Sequence, residues 1–387
     1  MKKILLIVSL LFMPLRVYAE EAVDLAPNAK SAILIEATTG EILFQKNIHE
    51  KLAPASMTKI MSMLLFIEAL EKGLMKWDEY ITISENAAGM GGSQIFLEPN
   101  EKMSVTDLFK GIAIASANDA TYALAERVAG TEEAFVSRMN KKLKELGLKN
   151  SYFKNSTGLD EANHYSTAYD MAIMAKELVN HDKVLEYTAK YEDYLRVNSD
   201  EKFWLVNTNR LVRFYPGVDG LKTGYTNEAG YCLTATIEKN NMRLIAVVMK
   251  EPQSSTRNTE VSRMLDYGFN QYEVERILSK TTDLGNIRVD KGSPELVGIN
   301  PIQNINVLNK KGEDKRNVTY KMKLDKIKAP IKIGDKIGTL TIIENNNETM
   351  KIDITVKEEV KKAGFFTLYL RHIKDILLGD IKIKTHY

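Results

Sequence analysis

Short hydrophobic stretches at two distant parts of the chain predict β-strands. Residues 32–35, followed by residues 38–44 with a turn at Gly40, are typical of two strands that fold back on each other. Residues 231–236 and 243–249 have the same strand-like character. Helical patterns occupy the sequence between these regions. This order favours an α+β domain in which one sheet joins both ends of the region.

Between the strand regions, apolar residues recur at helical spacing. Residues 57–72 are apolar on nearly every side, which predicts a helix inside the domain rather than on its surface. Three further ranges have a helical pattern: 104–128, 131–147 and 167–180. Together with the flanking strands, these helices make up a predicted first domain over residues 20–280.

The pattern changes after this first domain. Residues 285–357 are rich in Ile, Val, Lys and Asn, and contain short alternating runs such as 351–356. Alternation of this kind predicts antiparallel strands with one buried and one solvated face. We therefore predict a smaller, all-β domain over residues 281–360.

Residues 361–387 form a tail with the pattern of an amphipathic helix. Its large apolar residues recur at helical spacing: Phe366, Tyr369, Leu370, Ile373, Ile376 and Leu377. The tail has six Lys and Arg residues against two Asp, and no stretch reaches the ~20 apolar residues of a membrane span. The pattern is typical of a helix that lies on a membrane surface. The alternative is a terminal helix packed on the all-β domain.

The first nineteen residues resemble an export signal. Lys2 and Lys3 precede ~10 apolar residues, and the segment ends at Ala19 with small residues at positions that a signal peptidase reads. The apolar run is short for a span, although an uncleaved anchor is the alternative. Cleavage after Ala19 removes three basic side chains and changes the net charge from +2 to −1. We predict an exported protein at the outer face of a bacterial cytoplasmic membrane.

Composition limits the kinds of site and partner that this chain can have. It has 387 residues, with 53 basic and 51 acidic side chains, five His and a single cysteine, Cys232. One cysteine excludes a disulfide framework and a cysteine-based zinc cluster, so we predict neither a metal nor a cofactor. The nearly balanced charge argues against nucleic acid as a partner.

The first candidate motif is Ser56-Met57-Thr58-Lys59, at the start of the apolar helix. Residues three apart share a helix face, so the Ser56 hydroxyl and the Lys59 amine can meet. Serine becomes a nucleophile when a base takes its proton. Lysine can be that base where burial, a nearby cation or a helix N-terminus disfavours its charged form. For this motif alone, the alternative is that Ser56 caps the helix and Lys59 is solvated.

The second candidate motif is Ser116-Ala117-Asn118, which places two polar side chains in an apolar stretch. Buried polar groups need hydrogen-bond partners. In a structural role, both side chains would bond backbone groups where two helices join. In a functional role, Ser116 would relay a proton and the Asn118 amide would hold a substrate peptide.

The third candidate motif is Lys222-Thr223-Gly224, which precedes strand-like sequence. A strand edge can pair with an extended peptide, and Gly224 lets that peptide come close. Lys222 would supply a cation for a substrate carboxylate and for lowering the pKa of Lys59. A phosphate loop is excluded because it requires glycine immediately before the lysine, where this chain has Leu221.

The three motifs, in this order and at these separations, resemble those of the active-site serine penicillin-recognising enzymes. More narrowly, the chain resembles the low-molecular-mass D-alanyl-D-alanine carboxypeptidases of peptidase family S11, from leader to tail. The resemblance implies a transpeptidase/β-lactamase-like catalytic domain. It implies that peptidoglycan stem peptides are the substrates and that β-lactam antibiotics are covalent inhibitors.

The resemblance also assigns roles to residues. Ser56 is acylated, Lys59 is the base, and Ser116 takes part in proton transfer. The substrate-binding residues are these: Asn118, Lys222, Thr223, Gly224, Thr226 and Arg257. Backbone N–H groups of Ser56 and of a residue just after Gly224 would form the oxyanion hole. The family often has a further arginine before the third motif, for which Arg210 and Arg213 are both candidates.

Three other functions compete with a carboxypeptidase. A β-lactamase would use the same motifs, but residues 155–172 lack the Glu-x-x-x-Asn pattern that would supply its acidic residue. A non-catalytic wall-binding protein would not need Ser56, Lys59, Ser116 and Lys222 together. A Ser-His-Asp hydrolase would need a Gly-x-Ser-x-Gly turn, which the chain lacks.

Overall fold

The computed structural model describes residues 23–197, 200–325 and 327–377, and its first region is built on a five-stranded antiparallel sheet. In spatial order, the strands are Ile42–Lys46, Ser31–Glu36, Met242–Glu251, Gly230–Lys239 and Val218–Thr226. The first hairpin pairs with the strand Met242–Glu251, so one sheet joins both ends of the region, as predicted. Val218–Thr226 is an edge strand of this sheet.

Helices cover both faces of this sheet. The strand Ser31–Glu36 alternates between the two layers, since Ile33 and Ile35 belong to one core while Ala32 and Leu34 belong to the other. The first layer surrounds the buried helix Lys59–Glu71, and its other helices are Glu85–Ala88, Val105–Ala115, Asn118–Ala129, Glu132–Glu145, Ala168–Leu178 and Asp182–Thr188. The second layer contains Leu211–Phe214 and Ser254–Gln271. Two small two-stranded sheets complete the region: Tyr80–Thr82 with Lys102–Ser104, and Glu192–Leu195 with Phe203–Val206.

The helix predicted over residues 104–128 is broken in two. Val105–Ala115 ends at Ser116, which has a φ of +65°, and Asn118–Ala129 begins two residues later. The pattern missed this break because both helices turn their apolar residues toward the same core, so the periodicity continues across it.

The second region is all-β, as predicted. Its five-stranded sheet has this order: Asn286–Arg288, Leu296–Pro301, Asn347–Val356, Gly338–Glu344 and Val318–Leu324. Two smaller pairs flank it: Tyr272–Leu278 with Ile305–Lys310, and Gly292–Ser293 with Lys361–Lys362. Its core contains Ile299, Leu340 and Ile354, all fully buried.

One strand and one arginine join the two regions. Along Tyr272–Leu278, the side chains of Tyr272 and Val274 pack on the second core layer of the first region, while Ile277 and Leu278 pack on the core of the all-β region. The Arg316 guanidinium donates two hydrogen bonds of 2.8 Å to Glu41 in the first region and one of 3.0 Å to Glu344 in the second.

The predicted tail begins with the strand Lys361–Lys362, which belongs to the all-β region, and continues as the helix Phe365–Leu377. Its apolar residues apart from the half-buried Leu368 are exposed. Arg371, on another face, donates to the carbonyl oxygen of Gly292 at 2.7 Å and pairs with Glu295 at 3.1 Å. Among the described residues, no helix is long and apolar enough to cross a membrane. The predicted leader, residues 1–19, lies outside the described residues, and so do residues 378–387 of the tail.

Candidate active site

The first motif forms a 3-10 turn, Ala55–Thr58, that leads directly into the helix Lys59–Glu71. Ser56 is half-buried on this turn, and its hydroxyl oxygen lies 3.0 Å from Lys59 Nζ. The cap of the helix is Thr58, which makes no side-chain capping bond. The alternative in which Ser56 caps the helix and Lys59 is solvated is therefore wrong.

Lys59 is fully buried, and three oxygen atoms surround its Nζ. They are Asn118 Oδ1 at 2.6 Å, the carbonyl oxygen of Thr157 at 2.7 Å and Ser56 Oγ at 3.0 Å. A neutral amine has two N–H bonds and one lone pair. Because the two carbonyl oxygens can accept both N–H groups, the lone pair is left for the hydroxyl proton of Ser56. This arrangement suits a general base.

The surroundings of Lys59 favour its neutral form. Burial lowers its pKa well below the ordinary value of 10.5, and the charge of Lys222 lowers it further, against an opposite effect from Asp119. Lys222 is also fully buried, and burial together with the charge of Arg257 lowers its pKa to about 7. Lys222 thus acts on Lys59 in the way that the sequence predicts.

The second motif lies where the chain turns between two helices. The Ser116 side chain is buried, and its hydroxyl has no hydrogen-bond partner among the described residues. Asn118 accepts from Lys59 through its amide oxygen and donates from Nδ2 to the carbonyl oxygen of Gly91 at 2.7 Å. The sequence assigns this amide to the substrate, whereas in the structure it holds Lys59.

The third motif lies in the edge strand Val218–Thr226, which packs against the turn that carries Ser56. A Cβ atom at Gly224 would lie 2.7 Å from the carbonyl oxygen of Pro54. Glycine is therefore needed for the close packing of the strand on this turn, a reason different from the predicted approach of a peptide. The Thr223 hydroxyl donates to the Thr208 hydroxyl at 2.7 Å.

Thr226 and Arg257, to which the resemblance assigns the substrate carboxylate, have different surroundings. Thr226 ends the edge strand, and its hydroxyl donates to Asp160 at 2.8 Å. Arg257 lies in the first turn of its helix and is 5% exposed. Its guanidinium donates to Asn258 Oδ1 at 2.9 Å, and its charge reaches Lys222.

Arg210 and Arg213, the two candidates for a further arginine, lie in different surroundings. Arg213 lies over the ring of Tyr191, with its Cζ 4.8 Å from the ring centroid. Arg210 is exposed and borders a surface cavity that also contains Asp266. From this segment, Thr208 is the residue that contacts the third motif.

The sequence did not predict the role of the loop 155–158, which forms the wall of the site that faces the edge strand Val218–Thr226. Thr157 contributes its carbonyl oxygen to Lys59, and a Cβ atom at Gly158 would overlap the carbonyl oxygen of Ala55. Asn155 Oδ1 accepts from the N–H of Gly158 at 2.7 Å, which fixes the turn. The turn residues Asn155-Ser156-Thr157-Gly158 were the available signal, but a backbone carbonyl leaves no trace in side-chain chemistry.

His164 links this wall to the turn that carries Ser56. Its Nε2 lies 2.8 Å from the Thr58 hydroxyl, and its Nδ1 accepts from the N–H of Lys154 at 3.2 Å. Burial lowers the pKa of His164 to about 4, so the ring is neutral at physiological pH. A neutral ring that accepts at Nδ1 has its proton on Nε2, which therefore donates to Thr58.

A serine beside a buried lysine, on a helix packed against an antiparallel sheet, defines an acyl-transfer enzyme of the penicillin-recognising type. The D-alanyl-D-alanine carboxypeptidase family, peptidase S11, matches residues 18–253, and the family of penicillin-binding protein 5 C-terminal domains matches residues 272–362. The chain belongs to the S11 family and is a serine-type, penicillin-binding D-Ala-D-Ala carboxypeptidase that processes cell-wall peptidoglycan.

Relatives and solved structures agree with this assignment. The chain is 53% identical over 353 residues to D-alanyl-D-alanine carboxypeptidase DacF of Bacillus subtilis, covering 91% of each chain. Penicillin-binding protein 5 of Haemophilus influenzae is 31% identical with a TM-score of 0.68, over 87% of this chain and 98% of that one. Penicillin-binding protein D2 of Listeria monocytogenes, in its ampicillin-bound form, is 30% identical with a TM-score of 0.56, over 62% and 98%.

Proposed function

We propose that Ser56 and Lys59 carry out the carboxypeptidase reaction on peptidoglycan stem peptides that end in D-Ala-D-Ala. The observation that carries this proposal is the contact of Lys59 Nζ with Ser56 Oγ at 3.0 Å, made by a lysine with no exposed surface. Burial and a neighbouring cation lower the pKa of Lys59, so a neutral amine is available as a base.

In the first half of the reaction, Ser56 Oγ attacks the carbonyl carbon between the last two D-alanines. Lys59 takes the hydroxyl proton as the new C–O bond forms. The oxyanion is stabilised by the backbone N–H groups of Ser56 and of Tyr225, the residue after Gly224. The C–N bond then breaks, and Lys59 passes its proton through Ser116 to the departing amine, which releases D-alanine, leaves an ester on Ser56 and makes Lys59 neutral again.

In the second half of the reaction, water hydrolyses this ester. Lys59 takes a proton from the water, whose oxygen attacks the ester carbonyl, and Ser56 recovers its hydroxyl proton as the C–O bond breaks. The terminal carboxylate of the substrate is held by Lys222, Thr223, Thr226 and Arg257. The substrate peptide extends along the edge strand Val218–Thr226 as an added strand, with the amide of Asn118 beside it.

Penicillins test the nucleophile directly. A β-lactam opens on acylation and loses no group, so the adduct adds the full mass of the antibiotic. We expect intact mass spectrometry of the mature protein to show one adduct, mapped to Ser56 by peptide digestion. Ser56→Ala should remove both the adduct and the release of D-alanine from a D-Ala-D-Ala peptide, and should leave the fold intact. An adduct on another serine of the wild-type protein would contradict the assignment.

We infer further that the protein is exported and lies on the outer face of the cytoplasmic membrane. The leader, residues 1–19, supports export, and we expect the mature chain to begin at Glu20. The tail helix Phe365–Leu377 supports membrane contact, because its apolar residues form one exposed stripe: Phe365, Phe366, Tyr369, Leu370, Ile373, Ile376 and Leu377. Arg371, outside this stripe, bonds the all-β region, so the stripe points away from it.

Liposome co-sedimentation tests the tail. The chain should be cut after Gly364 rather than earlier, because Lys361–Lys362 pairs with Gly292–Ser293. We expect the full mature protein to pellet with vesicles that contain anionic lipids, and the shortened protein to stay in solution with unchanged activity on a small peptide. Leu370→Asp should weaken binding more than Thr367→Asp, a matched charge outside the stripe. Equal pelleting of all forms would overturn the membrane proposal.

A further inference from the structure

The hydroxyl of Thr226 is already occupied by a carboxylate of the protein itself. Asp160 Oδ1 accepts its hydrogen bond at 2.8 Å, and the Thr226 oxygen accepts a bond from the N–H of Ala229 at 3.0 Å. A hydroxyl has one proton to donate. In this structure, that proton points to Asp160, and Thr226 has no second proton to offer another carboxylate.

Asp160 belongs to the wall of the site that faces the edge strand. It follows Thr157, whose carbonyl oxygen holds Lys59, and Gly158, which packs on the turn that carries Ser56. Asn155 Nδ2 donates to the carbonyl oxygen of Leu159 at 3.0 Å, so the chain is fixed immediately before Asp160. The bond from Asp160 to Thr226 therefore spans the two walls of the cleft.

We propose that the carboxylate of Asp160 stands in for the terminal carboxylate of the substrate on Thr226. This inference rests on the proposed role of Thr226 in binding that carboxylate. Two carboxylates compete for one hydroxyl proton, and their like charges oppose each other. The substrate must displace Asp160, so Asp160 raises the KM of the free enzyme and leaves the chemistry at Ser56 unchanged.

The test is the steady-state kinetics of the mature enzyme on a diacylated L-Lys-D-Ala-D-Ala peptide. For Asp160→Ala, we expect KM to fall about three- to tenfold, with kcat changed less than about twofold, because removing a competitor frees one hydrogen bond to a charged group. Glu228→Gln is the control, since it removes an exposed carboxylate two residues from Thr226. Its KM should stay near that of the wild type.

A second background separates competition for the hydroxyl from a general charge effect. Thr226→Ala should raise KM. The double variant Thr226→Ala/Asp160→Ala should have the same KM as Thr226→Ala, because it has no hydroxyl that the loss of Asp160 could free for the substrate. An equal fall in both backgrounds would show that the charge acts at a distance and would overturn the proposal. A KM that is unchanged or raised in Asp160→Ala would overturn it too, because Asp160 would then be idle or would position Thr226 for the substrate.

A failure of the proposal for Asp160 can be distinguished from a failure of the proposed function. Covalent labelling of Ser56 by penicillin is measured on each variant and reports whether the nucleophile works. If the wild-type protein forms no adduct on Ser56, the proposed mechanism fails. If labelling is intact and the KM of Asp160→Ala does not fall, only the role of Asp160 fails.

Discussion

Lys59 and Asn118 are 59 residues apart in sequence, and their side chains meet in a hydrogen bond of 2.6 Å between Nζ and Oδ1. This bond joins the first and second motifs and takes one of the two N–H groups of the neutral amine. Because Oδ1 accepts and carries no charge, it orients the amine without attracting a proton to it. The amide of Asn118 therefore keeps Lys59 both placed and basic.

Asn118→Asp tests this relationship with almost no change of shape. A carboxylate at 2.6 Å would raise the pKa of Lys59 and hold it as an ammonium. We expect acylation by penicillin to fall by at least ~100-fold near neutral pH, the size of a lost general base, and to recover partly as the pH rises. Lys59→Arg should lose as much and not recover, because arginine stays charged. The same pH profile in both variants would contradict this role.

Ser116→Ala should separate activity from stability. A buried hydroxyl without a partner costs stability, so its removal should leave the melting temperature unchanged or slightly higher. If Ser116 transfers a proton to the leaving amine, kcat on the peptide should fall by at least ~100-fold. Circular dichroism melts and D-alanine release check both. A variant with near-normal kcat would exclude Ser116 from proton transfer.

The parts of the site that the sequence predicted are those in which side chains share a short spacing. Ser56 and Lys59 meet because they are three residues apart, and the apolar pattern predicts that strands from both ends of the region share one sheet. The motifs predict that Lys222 lowers the pKa of Lys59, but how the two side chains approach each other depends on the tertiary fold. The break at Ser116 was hidden because the apolar residues on both sides face one core. The contact of the Thr157 carbonyl oxygen with Lys59 could not be predicted, because every residue has a backbone carbonyl and the sequence does not single one out.

Gly158 packs on the backbone of the turn that carries Ser56, and this contact requires glycine. We test it with Gly158→Ala. Its φ of +86° disfavours a side chain, and the added Cβ would overlap the carbonyl oxygen of Ala55. We expect a loss of about 2 kcal/mol or more in the free energy of unfolding, from backbone strain together with overpacking. We also expect slower acylation, because the overlap displaces the turn that carries Ser56.

The matched control for this change is Gly73→Ala. Gly73 has a φ of +69°, but a Cβ there would have no atom within 4 Å. It therefore bears the backbone strain alone, about 1 kcal/mol, without a collision. Chemical denaturation and the rate of penicillin labelling distinguish the two. Equal losses at both glycines would mean that the contact with Ala55 carries no additional cost.

A pair of buried carboxyl groups gives the last prediction, on stability. Glu251 and Glu260 are each 1% exposed, and Glu260 accepts from the N–H groups of Asn28 and Ala29 at 3.1 and 3.2 Å. Apart from the side chain of Glu260, the carboxyl oxygens of Glu251 have no hydrogen-bond partner among the described residues. Burial and the neighbouring Glu260 raise the pKa of Glu251 from 4.5 to about 8, although Lys46 and Arg257 oppose this shift.

The folded protein therefore binds a proton at Glu251 more tightly than the unfolded chain does. Since stability falls with pH wherever the folded state binds more protons, the contribution of Glu251 is lost as the pH rises from about 4.5 through about 8. Glu251→Gln keeps the shape and cannot ionise. We expect its melting temperature to exceed that of the wild type by a margin that grows from about pH 5 to about pH 8 and then levels off, with a slope of about 1.4 kcal/mol per pH unit at most.

Taking the difference between the two melting curves isolates this one group. Lys59 and Lys222, whose pKa values are lowered, make the folded protein more stable as the pH rises, but they do so equally in both proteins. Glu228→Gln, an exposed control, should follow the wild type at every pH. A constant difference between Glu251→Gln and the wild type from pH 5 to pH 9 would mean that Glu251 ionises normally in the folded protein, and that its burial is relieved by a partner such as Arg257.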